Sequence, residues 1–137
     1  MKGTLNKIAA ILALVIGAMA VFAGGRTLLG RDPGYYVINW LLLYNYTVGI
    51  LTVSTTAYLI WSRHRLALPA AVATFSVHAV VMLILQVAYR EVVARDSIVA
   101  MTVRLIAWAI ILTLMFVQAR KDRATAQRAV SQRDRGR

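Results

Sequence analysis

Four long stretches of this chain are almost free of charge. Residues 8–25 and 33–62 carry none, 66–89 hold only His78, and 97–119 hold only Arg104. Crossing a hydrocarbon layer of ~30 Å takes about 20 apolar residues in helical form, and each stretch supplies roughly that many. Membrane β-strands are excluded, because they alternate polar and apolar positions over about 10 residues. Hydrophobic residues make up 60% of the 137, more than a soluble globule of this size can cover with polar surface. The expected fold is therefore all-α: a polytopic membrane protein built as a four-transmembrane-helix antiparallel bundle. Its spans fall at about 5–23, 34–61, 66–89 and 97–119. Residues 120–137 form a basic cytoplasmic tail, either a helical extension or disordered.

Local signals set the span ends. Gly24-Gly25 reads as a C-terminal stop for the first span. Asp32 followed by Pro33 reads as N-cap and first helical position of the second. The sequence SRHR at 62–65 reads as a tight turn, with Pro69 tolerated in the first turn of the third span. Asp96 or Ser97 is expected to cap the fourth. Lys2 and Lys7 ahead of an apolar core, closed by AMAVFAGG at 18–25, also have the form of a signal peptide. The retained-helix reading is adopted.

Orientation follows from Lys and Arg in the short connections. Eleven lie at the N-terminus, the 62–65 turn and the tail, against four in the other two connectors. Both termini are thus expected in the cytoplasm of a cell, with a bacterial inner membrane as the setting. Tyr35, Tyr36 and Tyr89 fall at the outer boundary and Trp61 at the inner one, as interfacial aromatics do. The tail has seven basic and two acidic residues. It reads as a topological anchor that attracts anionic lipid. No aromatic residue interleaves its charges to stack on bases, so nucleic acid is not an expected partner.

The polar residues inside the spans are the candidate site. At a rise of about 1.5 Å per residue, His78 and Asn45 lie roughly 15–16 Å from the outer boundary, and Arg104 about 10 Å below Ser97. Asn39 and Gln86 are shallower, at about 5–6 Å by the same rise. In the second span Asn45, Gly49, Thr52 and Thr56 share one helical face, flanked by Tyr44 and Tyr46. In the fourth, Ser97, Met101, Arg104 and Trp108 share another, which places Arg104 where it can lie over the Trp108 indole. In the first, Ala9, Ala13, Gly17, Ala20 and Gly24 make a small-residue stripe that lets a neighbouring helix approach closely.

Arg104 is the most constrained residue. A central arginine costs at least about 2.5 kcal/mol to insert, and no Asp or Glu lies within any span. It can snorkel to the headgroups, meet an acid on a partner subunit, or hold an anionic or carbonyl-bearing ligand. For His78, the simplest role is a neutral ring satisfied by Asn45, a hydroxyl or the backbone of the preceding turn. A single haem cannot join His64 and His78, which lie about 15 Å apart along the membrane normal, and no cofactor is expected. The chain has no cysteine, no carboxylate pair, no HExxH motif and no serine in a nucleophile elbow, so it is not read as an enzyme.

Two functions fit. One is a membrane-embedded subunit or scaffold that packs against itself or a larger membrane protein. The other is a binding or transport protein for a lipid-soluble or anionic, quinone-like molecule held between the second, third and fourth spans. Its site would comprise His78, Asn45 and Arg104 with Tyr44, Tyr46 and Trp108 as walls. Because the native chain lacks cysteine, single introduced cysteines report the topology directly. Leu29→Cys and Val92→Cys are expected to react with an impermeant maleimide in intact cells. Ser62→Cys and Ser131→Cys should react only after permeabilisation, and labelling of Ser131→Cys in intact cells would overturn the orientation.

Overall fold

The computed structural model describes residues 3–31, 34 and 37–136. Helix α1 spans Thr4–Leu28, α2 Asn39–Leu51, α3 Ala57–Trp61, α4 Ala67–Val87 and α5 Arg95–Arg135, with a π-helical turn over Thr52–Thr56 joining α2 to α3. Three of these, α1, α4 and α5, are long and apolar enough to cross a membrane. The second apolar run is helical from 39 to 61, but it is assembled from α2, the π turn and α3 rather than from one α-helix.

Several boundaries differ from the sequence reading. Helix α1 passes through Gly24-Gly25 and ends at Leu28, because Gly24 is used for packing and not as a stop. A Cβ there would lie 3.1 Å from Tyr46 Cβ. The proposed Asp32–Pro33 cap lies outside the described residues, as do Tyr35 and Tyr36; α2 begins at Asn39 after an extended Ile38. Helix α5 starts at Arg95, with Ala94 in the cap position. Asp96 thus falls in the first turn, where its charge favours the positive end of the helix dipole. Pro69 does sit in the first turn of α4. The basic tail is helical through Arg135, continuous with α5.

The π turn has a local explanation. It lies in TVSTT, a run of β-branched and hydroxyl residues that compete with regular helical bonding. Ser54 Oγ donates to the Ile50 carbonyl at 2.7 Å. Thr27, Thr74, Thr102 and Thr113 make the same bond to the carbonyl four residues back. Each hydroxyl is thereby satisfied inside its own helix, as an apolar surrounding demands.

Helix α1 lies against α2, α3 and α5, while α4 lies against α5 and more lightly against α3 and the π turn. The small-residue stripe of α1 is buried throughout, and it faces the second rod of the same chain. A Cβ on Gly17 would stand 2.8 Å from Val53 Cγ2 and 3.1 Å from the Gly49 carbonyl oxygen. One on Gly49 would stand 3.0 Å from Ala20 Cβ and 3.1 Å from the Gly17 carbonyl oxygen. The two backbones meet directly.

Two apolar clusters fill the interior. One, built around Ala13, Ile60, Ala71, Trp108, Ile111 and Met115, lies toward the end that carries the N-terminus and the 62–66 turn. The other, built around Ile38, Leu41, Val81, Leu85 and Met101, lies toward the opposite end. Between them sits a band of buried or half-buried polar side chains: Asn45, Thr52, His78 and Arg104. Replacing Gly17 by Ala is expected to cost about 1–3 kcal/mol, the range for overpacking a close-fitted interior. Gly25→Ala, whose Cβ would meet nothing nearer than Tyr46 Cε2 at 3.8 Å, should be neutral or raise stability by up to about 1 kcal/mol through helix propensity. Thermal unfolding of the two variants in one detergent checks the contrast; equal effects would refute it.

Candidate functional site

Asn45 is positioned by the Gly17–Gly49 contact. It lies one turn from Gly49 on the same face of α2, so the approach of the two rods carries it into the interior, where it is buried. Arg104 comes from α5 on the face that also buries Ser97, Met101 and Trp108. Its Nη1 donates to Asn45 Oδ1 at 2.6 Å, a charge-assisted bond of the short kind.

His78, buried on α4, takes a different partner. Its Nδ1 lies 2.8 Å from the Thr74 carbonyl oxygen. A carbonyl only accepts, so Nδ1 is the donor and Nε2 is the acceptor of the neutral ring. Tyr44 meets the imidazole edge-on with centroids 5.8 Å apart, and Trp108 lies tilted against it at 6.4 Å. The buried Tyr44 hydroxyl has no hydrogen-bond partner among the described residues.

Arg104 and Asn45 lie between two spaces. A cavity of about 10 Å³, close to the volume of one water, is bordered by Asn45, Thr52, His78, Arg104 and Trp108. On the other side a cleft of about 290 Å³ is lined by Ile16, Met19 and Ala23 of α1, Leu41 and Asn45 of α2, and Ser97, Ala100, Met101, Val103 and Arg104 of α5. Ser97 and Arg104, both in its lining, stand about 10 Å apart along α5 by the helical rise. Met19 and Val103 on its rim are 64% and 53% exposed, so the cleft opens sideways between α1 and α5.

The candidate residues therefore divide. The structure brings Asn45, Arg104, His78, Tyr44 and Trp108 into one layer. Tyr46 lies instead against Gly24 and Gly25 of α1 and forms no wall of the cleft. Asn39 and Gln86 are exposed near helix ends and stand outside the layer. Of the partners open to His78 (Asn45, a hydroxyl or the backbone of the preceding turn), the structure gives it the backbone, at Thr74; Asn45 pairs with Arg104, which turns the guanidinium inward toward α2. The cleft lies between the first, second and fourth apolar runs, not the second, third and fourth; on the His78 side Tyr44 and Trp108 pack against the imidazole and leave only the small cavity. Sequence reasoning missed Ile16, Met19 and Ala23. Their spacing of three and four residues puts them on one face of α1, and that was the available signal.

Comparison with protein-family models, curated proteins and solved structures gives no match. Hydrogen bonds to charged groups contribute about 1.5–3 kcal/mol in proteins, whereas polar couplings within membranes average about 0.6. A double-mutant cycle of Asn45→Ala and Arg104→Leu is expected to give a coupling of about 1–2 kcal/mol, between those ranges. Additive effects would show that the pair carries no interaction energy.

Proposed function

We propose that this is a four-pass membrane protein of a bacterial inner membrane, with both termini cytoplasmic, that binds a lipid-soluble molecule in the cleft between α1 and α5. The 23-residue rod from 39 to 61 is about 35 Å long by the helical rise, enough to serve as the fourth span despite its π turn. The distribution of Lys and Arg supports the orientation. It puts the cleft in the outer half.

The observation that carries the binding reading is Arg104, with Asn45 and Ser97, in the lining of a mostly apolar cleft. Ligand sites are mostly apolar concavities with a few fixed polar groups. The opening faces hydrocarbon, so the ligand enters from the bilayer and must be soluble there. A guanidinium only donates, which requires an accepting head: a quinone-like carbonyl or a carboxylate. The chain's own residues supply binding and orientation.

The subunit or scaffold reading draws on a different feature. The stripe of Ala9, Ala13, Gly17, Ala20 and Gly24 is spent on packing within the chain, so it is not the surface a partner helix or second copy would use. What favours a partner is the exposed continuation of α5 over residues 120–135. Its first basic residues, Arg120, Lys121 and Arg123, lie within about 6 Å of the span's end by the same rise and are within reach of anionic headgroups.

The binding reading is tested by thermal shift in nanodiscs with a short-tailed prenylated benzoquinone and a medium-chain carboxylate. At least one is expected to raise the midpoint in the wild type. That shift should disappear in Arg104→Leu and in Val103→Trp, which obstructs the mouth but keeps the guanidinium. A shift retained in both variants, or absent for both compounds, would exclude the site.

A further inference from the structure

A second groove lies at the other end of the same pair of rods. It has a volume of about 220 Å³ and is bordered by Ala10, Ile11 and Leu14 of α1, Val53 of the π turn, and Ala57, Tyr58 and Trp61 of α3. Its floor is made of small side chains, the buried Ala10 and Ala57, and its walls of large ones, the exposed Ile11, Leu14, Tyr58 and Trp61. From Val53 to Trp61 it runs about 12 Å by the helical rise, most of the ~15 Å that one leaflet contributes to the hydrocarbon core. At its terminal end Lys7 Nζ stands over the Trp61 ring, 5.7 Å from the centroid. The cation is held at the level where interfacial tryptophans lie.

We propose that this groove is a binding site for one anionic phospholipid of the cytoplasmic leaflet. One acyl chain lies along Ala10 and Ala57, between the aliphatic wall of Ile11 and Leu14 and the aromatic wall of Tyr58 and Trp61, and the phosphate meets the Lys7 ammonium. Length and charge argue for this occupant. The groove matches a single leaflet and ends on a cation, as a lipid with an acidic head requires. The proposal rests on the membrane-spanning reading above but not on the cleft at Arg104, which lies at the other end of α1.

The test is native mass spectrometry of the full chain released from mixed phosphatidylglycerol and phosphatidylcholine micelles. One phosphatidylglycerol should be retained in preference to phosphatidylcholine. Lys7→Gln should reduce that preference by about fivefold, the effect of one basic residue at the headgroups. Ala57→Leu, which fills the floor, should abolish retention of either lipid. Tyr58→Ala, at an exposed wall where folding is not at risk, should weaken it. Arg104→Leu should leave it unchanged; loss in that variant would place the lipid in the outer cleft and overturn the assignment. Equal retention of the two lipids by the wild type, or undiminished retention in both Ala57→Leu and Tyr58→Ala, would also overturn it. A failed ligand shift at Arg104 with intact lipid retention would reject only the cleft reading.

Discussion

In lipid, two helices gain nothing by hiding apolar side chains from a solvent that is equally apolar, so their association rests on close packing. Gly17 and Gly49 provide it, each with the other's carbonyl oxygen only 3.1 Å from where a Cβ would stand. The consequences run along both rods. Four residues before Gly49, Asn45 is drawn into the interior. Three residues beyond it, Thr52 begins the π turn and is buried beside the same small cavity. A larger residue at either glycine would move Asn45 away from α5, and the polar layer would lose the acceptor at its centre.

That acceptor decides how Arg104 is tolerated. Placing an arginine in the hydrocarbon costs at least about 2.5 kcal/mol at the centre of a span and less near its end. A hydrogen bond to a charged group returns about 1.5–3 kcal/mol. The two terms are of the same size, so the bond to Asn45 can offset much of that cost. The Arg63–Asp122 pair makes an instructive contrast. It is as short, at 2.6 Å, but both side chains are about 40% exposed, and such pairs contribute at most about 1 kcal/mol. Its role is positional: Gln118 Nε2 also donates to Asp122 at 3.0 Å, which fixes α5 against the 62–66 turn as it leaves the bundle.

Much of this was legible in the sequence because apolar patterning and helical spacing are local properties. The faces Asn45-Gly49-Thr52-Thr56 and Ser97-Met101-Arg104-Trp108 are both turned inward, Arg104 alone being only half-buried. The stripe on α1 is buried from Ala9 to Gly24. What depth alone left open was pairing between helices. Asn45 and His78 fall at similar depths, and Asn45, a hydroxyl and the preceding turn's backbone were all within reach of the imidazole. Rotation of each rod about its axis is set by packing, and packing gave Asn45 to Arg104 and left His78 to its own backbone at Thr74. Gly24-Gly25 misled for a related reason: a glycine pair signals a helix end only when nothing packs against it, and Tyr46 does. The π turn left a weak signal in TVSTT, since hydroxyl residues perturb helices far more often than they widen them.

The arrangement of apolar and polar layers also bears on what a bound molecule could do. Below the Asn45–Arg104 level, the interior is filled by the cluster around Ala13, Ile60, Ala71, Trp108 and Ile111. Buried polarity resumes on α5 only at Gln118, ten residues past Trp108 and so about 15 Å farther along. A molecule resting on the guanidinium would have to part that close-packed layer to go on. The lateral mouth between Met19 and Val103 is open by comparison. If a molecule is held in the cleft as proposed, exchange through this mouth costs less than passage across the packed layer.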